Sequence, residues 1–212
     1  VNIEETLKEP QKINFVNILK NFKEVLKNLN SMIYIVCLGL ILGGLLTFIN
    51  ICQPLYLHYF DIGSKFPLFF ALIASMLGLS SYLNSKYVWQ FGAGKIALSF
   101  SLLLMIWTLI TLAFQLNYFS LNLVWFSIFI MISFSFFGFI FGNLNALAIN
   151  PFGHIAGYAS SIIGSLSTLI ALVVSGTSTT FFDGSPNIVI FTLSTCSILT
   201  FLLLFFLRVS RS

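Results

Sequence analysis

Between Lys95 and Asp183 the chain contains no Asp, Glu, Lys or Arg. Across all 212 residues only 8% are charged, six acids and ten bases, against 58% hydrophobic. A water-soluble domain of this length cannot cover its surface with so few charges. The acids are Glu4, Glu5, Glu9, Glu24, Asp61 and Asp183, so no carboxylate falls inside an apolar run. A charge at mid-membrane costs about 2.5–3.5 kcal/mol and is kept only where function demands it. This chain therefore offers no acid of its own for a proton relay. Cysteine is scarce as well. Cys37, Cys52 and Cys196 are odd in number and lack metal-ligand spacing, so they read as small buried hydrophobes. No HExxH, CxxC, Walker-type or GxSxG pattern occurs, which argues against an enzyme and leaves neither a metal nor a cofactor a ligand set.

What the chain does have is apolar length. Six spans, at roughly 31–52, 66–84, 95–116, 121–144, 155–177 and 187–207, are each long enough to cross about 30 Å of hydrocarbon as a helix. The runs are continuous rather than alternating, which excludes a β-barrel, and lipid then requires every backbone group to be satisfied within its own helix. The predicted fold class is an all-α integral membrane protein with a six-helix transmembrane bundle over 31–207. It is preceded by a cytoplasmic segment 1–30 and followed by a short tail, 208–212. Within that first segment Ile13, Val16, Leu19, Phe22, Val25, Leu26 and Leu29 recur at three- and four-residue steps, opposite Lys20, Lys23, Glu24 and Lys27. This pattern predicts an amphipathic helix lying along the membrane surface. The first span is too long for the apolar core of a leader, so no cleavable signal peptide is expected.

Basic residues set the orientation. With a cytoplasmic N-terminus, Lys8, Lys12, Lys20, Lys23, Lys27, Lys86, Lys95, Arg208 and Arg211 lie inside and Lys65 alone lies outside. An even span count puts both termini in the cytoplasm. The partner these cations serve is the bilayer, and no nucleic acid is needed to explain them.

The polar residues that enter spans are neutral. Asn50 and Gln53 fall near the outer end of the first span, Asn143 and Asn145 near the inner end of the fourth. Such groups either bond between helices, at about 0.6–2 kcal/mol each, or line a polar path for a substrate. Small residues form rows: Gly39 and Gly43 in the first span, Gly138 and Gly142 in the fourth. In the fifth, Gly153, Gly157, Ser161 and Ser165 run beside Ala156, Ser160, Gly164 and Thr168. Together these two rows make a broad face that another helix can approach closely. Pro54 is expected to end or kink the first helix, and Asn150-Pro151 to start the fifth, with Asn as N-cap and Pro at the first helical position. His58 reads as an interfacial polar residue. His154, with no carboxylate near it in the sequence, reads as a hydrogen-bonding anchor rather than a proton carrier.

The stretch "FIFGNLNALAINPFGHIAGYASSIIGSLST" (139–168) resembles the tenth-to-eleventh helix region of the bicyclomycin-resistance branch of the major facilitator superfamily. The matching elements are Asn143 after an aromatic-glycine run, Ala146, Ala148, Pro151, Gly153-His154-x-Ala156-Gly157 and Ala159-Ser160-Ser161. Gly92 and Lys95 look like the degenerate cytoplasmic loop of that family's second half, and Glu5-Thr6-Leu7 is similar to the start of its central linker. Gln53-Pro54 stands where the family has Ser-Pro. Members are proton-coupled multidrug effluxers of the bacterial inner membrane, built from two six-helix halves with the substrate path between them. The resemblance implies that this chain is the linker plus helices seven to twelve. On that reading it forms one wall of a cavity for small hydrophobic drug-like molecules. Asn50, Gln53, Asn143 and Asn145 would line the substrate path. Gly138, Gly142, Pro151, Gly153, His154, Gly157, Ser160, Ser161 and Gly164 would form the gate and the helix-packing surface. The proton-coupling acids would belong to a separate N-terminal half, or the chain would work with a second copy of itself. A non-transporting membrane interaction protein, or an inactive remnant of a split transporter gene, is the alternative.

Overall fold

The structure, a computed structural model, describes residues 15–118 and 122–209. Residues 1–14, which include Glu5-Thr6-Leu7, and the tail beyond 209 lie outside the described residues. The described chain is helical, with no β-strand among the described residues. A first helix, α1 (Phe15–Lys27), is followed by six long ones: α2 (Leu29–Pro54), α3 (Phe66–Phe91), α4 (Ala93–Tyr118), α5 (Leu123–Ile149), α6 (Ala156–Thr180) and α7 (Asn187–Val209). They match the six apolar spans, starting one or two residues late in α5 and α6 and otherwise mostly overrunning them, most of all in α3, which continues seven residues past 84. As continuous helical runs, five are long and apolar enough to cross a membrane, and one of these, Leu123–Thr180, has length for two crossings. The chain thus has the elements of a multi-pass membrane protein.

Two junctions add to or depart from expectation. Pro54 ends α2, as expected, but not the helical path. The chain widens into a π-helical turn, Leu55–Tyr59, closed by the Phe60 N–H donating to the Leu55 carbonyl at 3.1 Å. Burial holds it there: Leu55 and Tyr56 are both buried and the Tyr56 ring packs against Phe48, Phe66, Phe69 and Phe126, so the outer link begins later than the proline suggests. Asn150, by contrast, does not cap α6. It has helical angles and continues from α5 into a 3-10 segment, Asn150–Ile155, with α6 starting at Ala156. Pro151 does occupy a first-turn position, but of the 3-10 segment, where its missing N–H costs nothing. The bend is at Phe152 (φ −113°, ψ 32°), which is itself buried.

Caps and glycines mark the other boundaries. Asn28 and Asn122 each accept a hydrogen bond from a first-turn N–H, of Ser31 and Trp125. The only break between α3 and α4 is Gly92, at φ +81°, a conformation that a side chain would penalise.

The pattern of packing is regular. The six most extensive pairings among the helices are α2–α6, α3–α5, α4–α5, α2–α7, α4–α7 and α2–α5. Exchanging α2 with α5, α3 with α6 and α4 with α7 converts α2–α6 into α5–α3 and α2–α7 into α5–α4. The pairs α2–α5 and α4–α7 map onto themselves. Two three-helix units are thus packed by one rule, and an odd helix count makes their directions opposite. Close approach in the equivalent pairs uses glycine. An added Cβ at Gly39 or Gly43 of α2 would lie 2.6 Å from the Ile170 Cβ or 2.7 Å from the Val174 Cβ of α6. At Gly138 of α5 it would lie 2.7 Å from the Leu77 carbonyl of α3. All three cysteines are buried, as expected of small hydrophobes.

Candidate functional site

Two polar bonds cross the equivalent helix pairs. The Asn50 amide of α2 donates to the Ser175 hydroxyl of α6 at 2.9 Å. The Asn143 amide of α5 donates to the Asn84 side-chain oxygen of α3 at 2.8 Å, and also to its own Phe139 carbonyl at 2.7 Å. All four residues lie in the C-terminal third of their helices. Because the two units run oppositely, one bond sits toward each end of the bundle. Asn143 and Asn84 are buried, whereas Asn50 is open to the surroundings on one side. Gln53, one turn beyond Asn50, and Asn145, two residues beyond Asn143, are both exposed. The four path residues therefore form two separate pairs rather than one cluster.

The sequence rows of α6 turn outward. Gly153, Gly157 and Gly164 have nothing within 4 Å of where a Cβ would stand, and Ser160, Ser161, Ser165 and Thr168 are exposed. The hydroxyls of Ser160 and Ser161 return to the Gly157 carbonyl, leaving a smooth surface with little free donor capacity. The buried side of α6 is another stripe, Ala159, Ile163, Ser167, Ala171 and Ser175, and this is the one that meets α2. Close packing within the bundle thus falls to Gly39, Gly43, Gly44 and Gly138. Gly142 is exposed, 3.9 Å from the Asn84 amide measured at its would-be Cβ.

His154 has a carboxylate partner that sequence proximity hid. Its Nε2 lies 3.0 Å from Glu24 Oε1 on α1, with both side chains partly exposed. Val25 and Asn21 of α1 are buried beside this pair, so the amphipathic helix rests on the bundle at the α5–α6 junction. Pro151, Gly153 and His154 all belong to that junction. It lies at the end of the molecule that also carries Lys86, Lys95 and Arg208, called here the basic end.

Several polar partners had no signal in the sequence. Ser175 and Asn84 are two. Others join α4 to α7 (Thr108 with Ser197, 2.8 Å; Gln115 with Asn187) and α6 to α7 (Thr192 donating to Ser178, 2.9 Å). Tyr56 and Ser127 pair at 3.1 Å between the π turn and α5. Single Ser and Thr residues are common in apolar helices, and only the packing reveals which ones meet. Among the described residues no cluster of His, Cys, Asp and Glu could hold a metal ion.

No family model matches the chain, and no curated protein or solved structure matches it significantly.

Proposed function

We propose that this chain is one six-helix half of a two-half membrane transporter, facing a second half across the exposed side of α6. The observation that carries this reading is the exchange rule of the helix contacts. A bundle of two oppositely directed three-helix units is the internal plan of a major facilitator half, in which the substrate path runs between halves rather than within one. The open row from Gly153 to Thr168 supports it: a helix polar enough to carry Ser160, Ser161 and Thr168 outward, and smooth enough for close approach, suits a moving contact with another helix.

The transported class is small hydrophobic drug-like molecules, moved outward in exchange for protons across the bacterial inner membrane, with both termini cytoplasmic. Asn50, Gln53 and Asn145 supply side-chain amides for the substrate path, beside the outward hydroxyls of α6. Asn143, already committed to Asn84 and Phe139, holds α3 and α5 in place behind that wall. The α5–α6 junction with its 3-10 segment serves as part of the cytoplasmic gate. Proton-coupling carboxylates come from the other half, because the long helices described here contain none.

The test is efflux of a fluorescent hydrophobic cation from cells that express this chain alone, a six-helix N-terminal half alone, or both. Efflux only with both is expected. Stable expression of both without efflux of any compound in a broad panel would favour a non-transporting membrane protein.

A further inference from the structure

At the basic end, α2, α4, α5 and α7 leave a cavity of about 390 Å³ between them. Its walls are largely apolar, with Leu98, Leu147 and Leu204 among the lining residues, and Lys95 and Arg208 complete the lining. Both cations are exposed, and neither has an ionic or hydrogen-bond partner among the described residues. Tyr34 also lines the cavity. It is 7% exposed, and its hydroxyl has no hydrogen-bond partner among the described residues. The Tyr34 hydroxyl, open to the cavity although its ring is buried, and the two cations thus place three donors on one apolar slot.

The backbone adds to this. Helix α4 starts at the cavity, and its first turn contributes Gly94 and Lys95. Ile96 is the first residue there whose N–H finds a carbonyl, that of Gly92 at 3.2 Å, so the preceding amides and the positive end of the helix dipole face outward. Gly94 brings no side chain to shield them, and a Cβ there would meet nothing within 4 Å. The only described acid at this end, Glu24, is engaged with His154.

We propose that this cavity is a binding site for an anionic phospholipid, its phosphate held by Lys95, Arg208 and the Tyr34 hydroxyl and an acyl chain lying against the leucines. The chemistry selects among occupants. Free phosphate gains nothing from leucine walls, and a zwitterionic headgroup brings its own cation against Lys95 and Arg208. A phosphate tethered to hydrocarbon satisfies both parts of the slot. The assignment rests on the membrane reading, with the basic end at the cytoplasmic leaflet.

The test uses the full chain purified in neutral detergent, with native mass spectrometry as the readout and dioleoyl phosphatidylglycerol, dioleoyl phosphatidylcholine or inorganic phosphate as probes. Phosphatidylglycerol should be retained as a discrete adduct and the other two should not. The K95Q/R208Q pair should weaken retention roughly thirtyfold, and Tyr34→Phe roughly fivefold. The K20Q/K86Q pair, which removes the same charge away from the cavity, should leave retention within about twofold of the parent. Leu147→Trp, which fills the slot while keeping both cations, should also abolish the adduct. Equal losses in the two charge pairs would overturn the site in favour of diffuse surface attraction. Equal retention of phosphatidylcholine, displacement of the lipid by inorganic phosphate, or an undiminished adduct in Leu147→Trp would each overturn it too. A chain that stays soluble without detergent would overturn the membrane reading itself, a separate failure visible before any lipid is added.

Discussion

Asn143 and Asn84 are joined at 2.8 Å inside the α3–α5 contact, both almost sealed from their surroundings. Removing one partner leaves the other's polar group buried without compensation. Asn143→Leu should therefore destabilise the bundle by about 0.6–2 kcal/mol. The N84L/N143L double variant should lose less than the sum of the single losses. Unfolding in mixed detergent micelles measures both, and strict additivity would show that the two side chains do not interact.

The two kinds of glycine should separate cleanly. At Gly138 a methyl group would press on the backbone of Leu77 and Ser81, which cannot rotate away, so Gly138→Ala should cost about 1–3 kcal/mol. Gly157 faces open space, and Gly157→Ala should leave the isolated chain as stable as before or slightly more so. On the transporter reading Gly157→Leu should nevertheless abolish partner-dependent efflux. A Gly157→Leu variant with full efflux would remove α6 from the moving contact.

The Glu24–His154 pair joins two partly exposed side chains and should be worth at most about 1 kcal/mol. Glu24→Gln should speed amide exchange in α1 a few-fold and leave α2–α7 unchanged, with the difference fading in high salt. An unchanged α1 would mean that buried Val25 and Asn21 alone hold that helix in place.

Asp183 lies in the loop before α7 and accepts from the Ser185 hydroxyl at 2.6 Å and the Ser185 N–H at 2.9 Å. These bonds, the hydroxyl's first, hold its carboxyl below the ordinary aspartate value. A lowered folded-state value means that the turn's contribution is present above the ordinary pKa of about 3.9 and is lost as pH falls through the lowered one. The Ser185 amide resonance should thus titrate with a midpoint below about 3.9, and Ser185→Ala should move that midpoint up. A parent midpoint at or above the ordinary value would contradict the turn.

The helices themselves were legible because the apolar runs are long and continuous, while Pro, Gly, Asn and Gln gather in the short links between them, even where, as between α4 and α6, no charge marks the boundary. The segment 150–155 was harder. Asn, Pro, Gly and His together look like a helix start, yet Pro151 is equally at home in a 3-10 turn, and Phe152 is buried at the point where the chain bends out of helical angles. At Pro54 the α-helix does end as the proline suggests, and the π turn beyond it, with the aromatic packing around Tyr56, had no signal in the sequence. The candidate site was read in part. Asn50 and Asn143 stand out as amides in apolar helices, but Ser175 resembles every other hydroxyl in α6, and Asn84 sits where the second span gives way to a polar link. Nothing local says that α2 lies against α6, or that the outward row of α6 is the one with more glycines. Those facts depend on contacts between residues far apart in the chain.

The same exchange rule has a consequence for synthesis. Gly39 of α2 meets Ile170 of α6, roughly 130 residues later in the chain. At typical translation speeds of about 5–20 residues per second, the glycine face of α2 waits on the order of ten seconds for its partner. During that interval α2 can be held only by lipid, by the membrane-insertion machinery or by a temporary neighbour. Of the six long helices described, α2 is therefore made before the others yet is among the last to reach its final packing, and assembly closes around it from the C-terminal side.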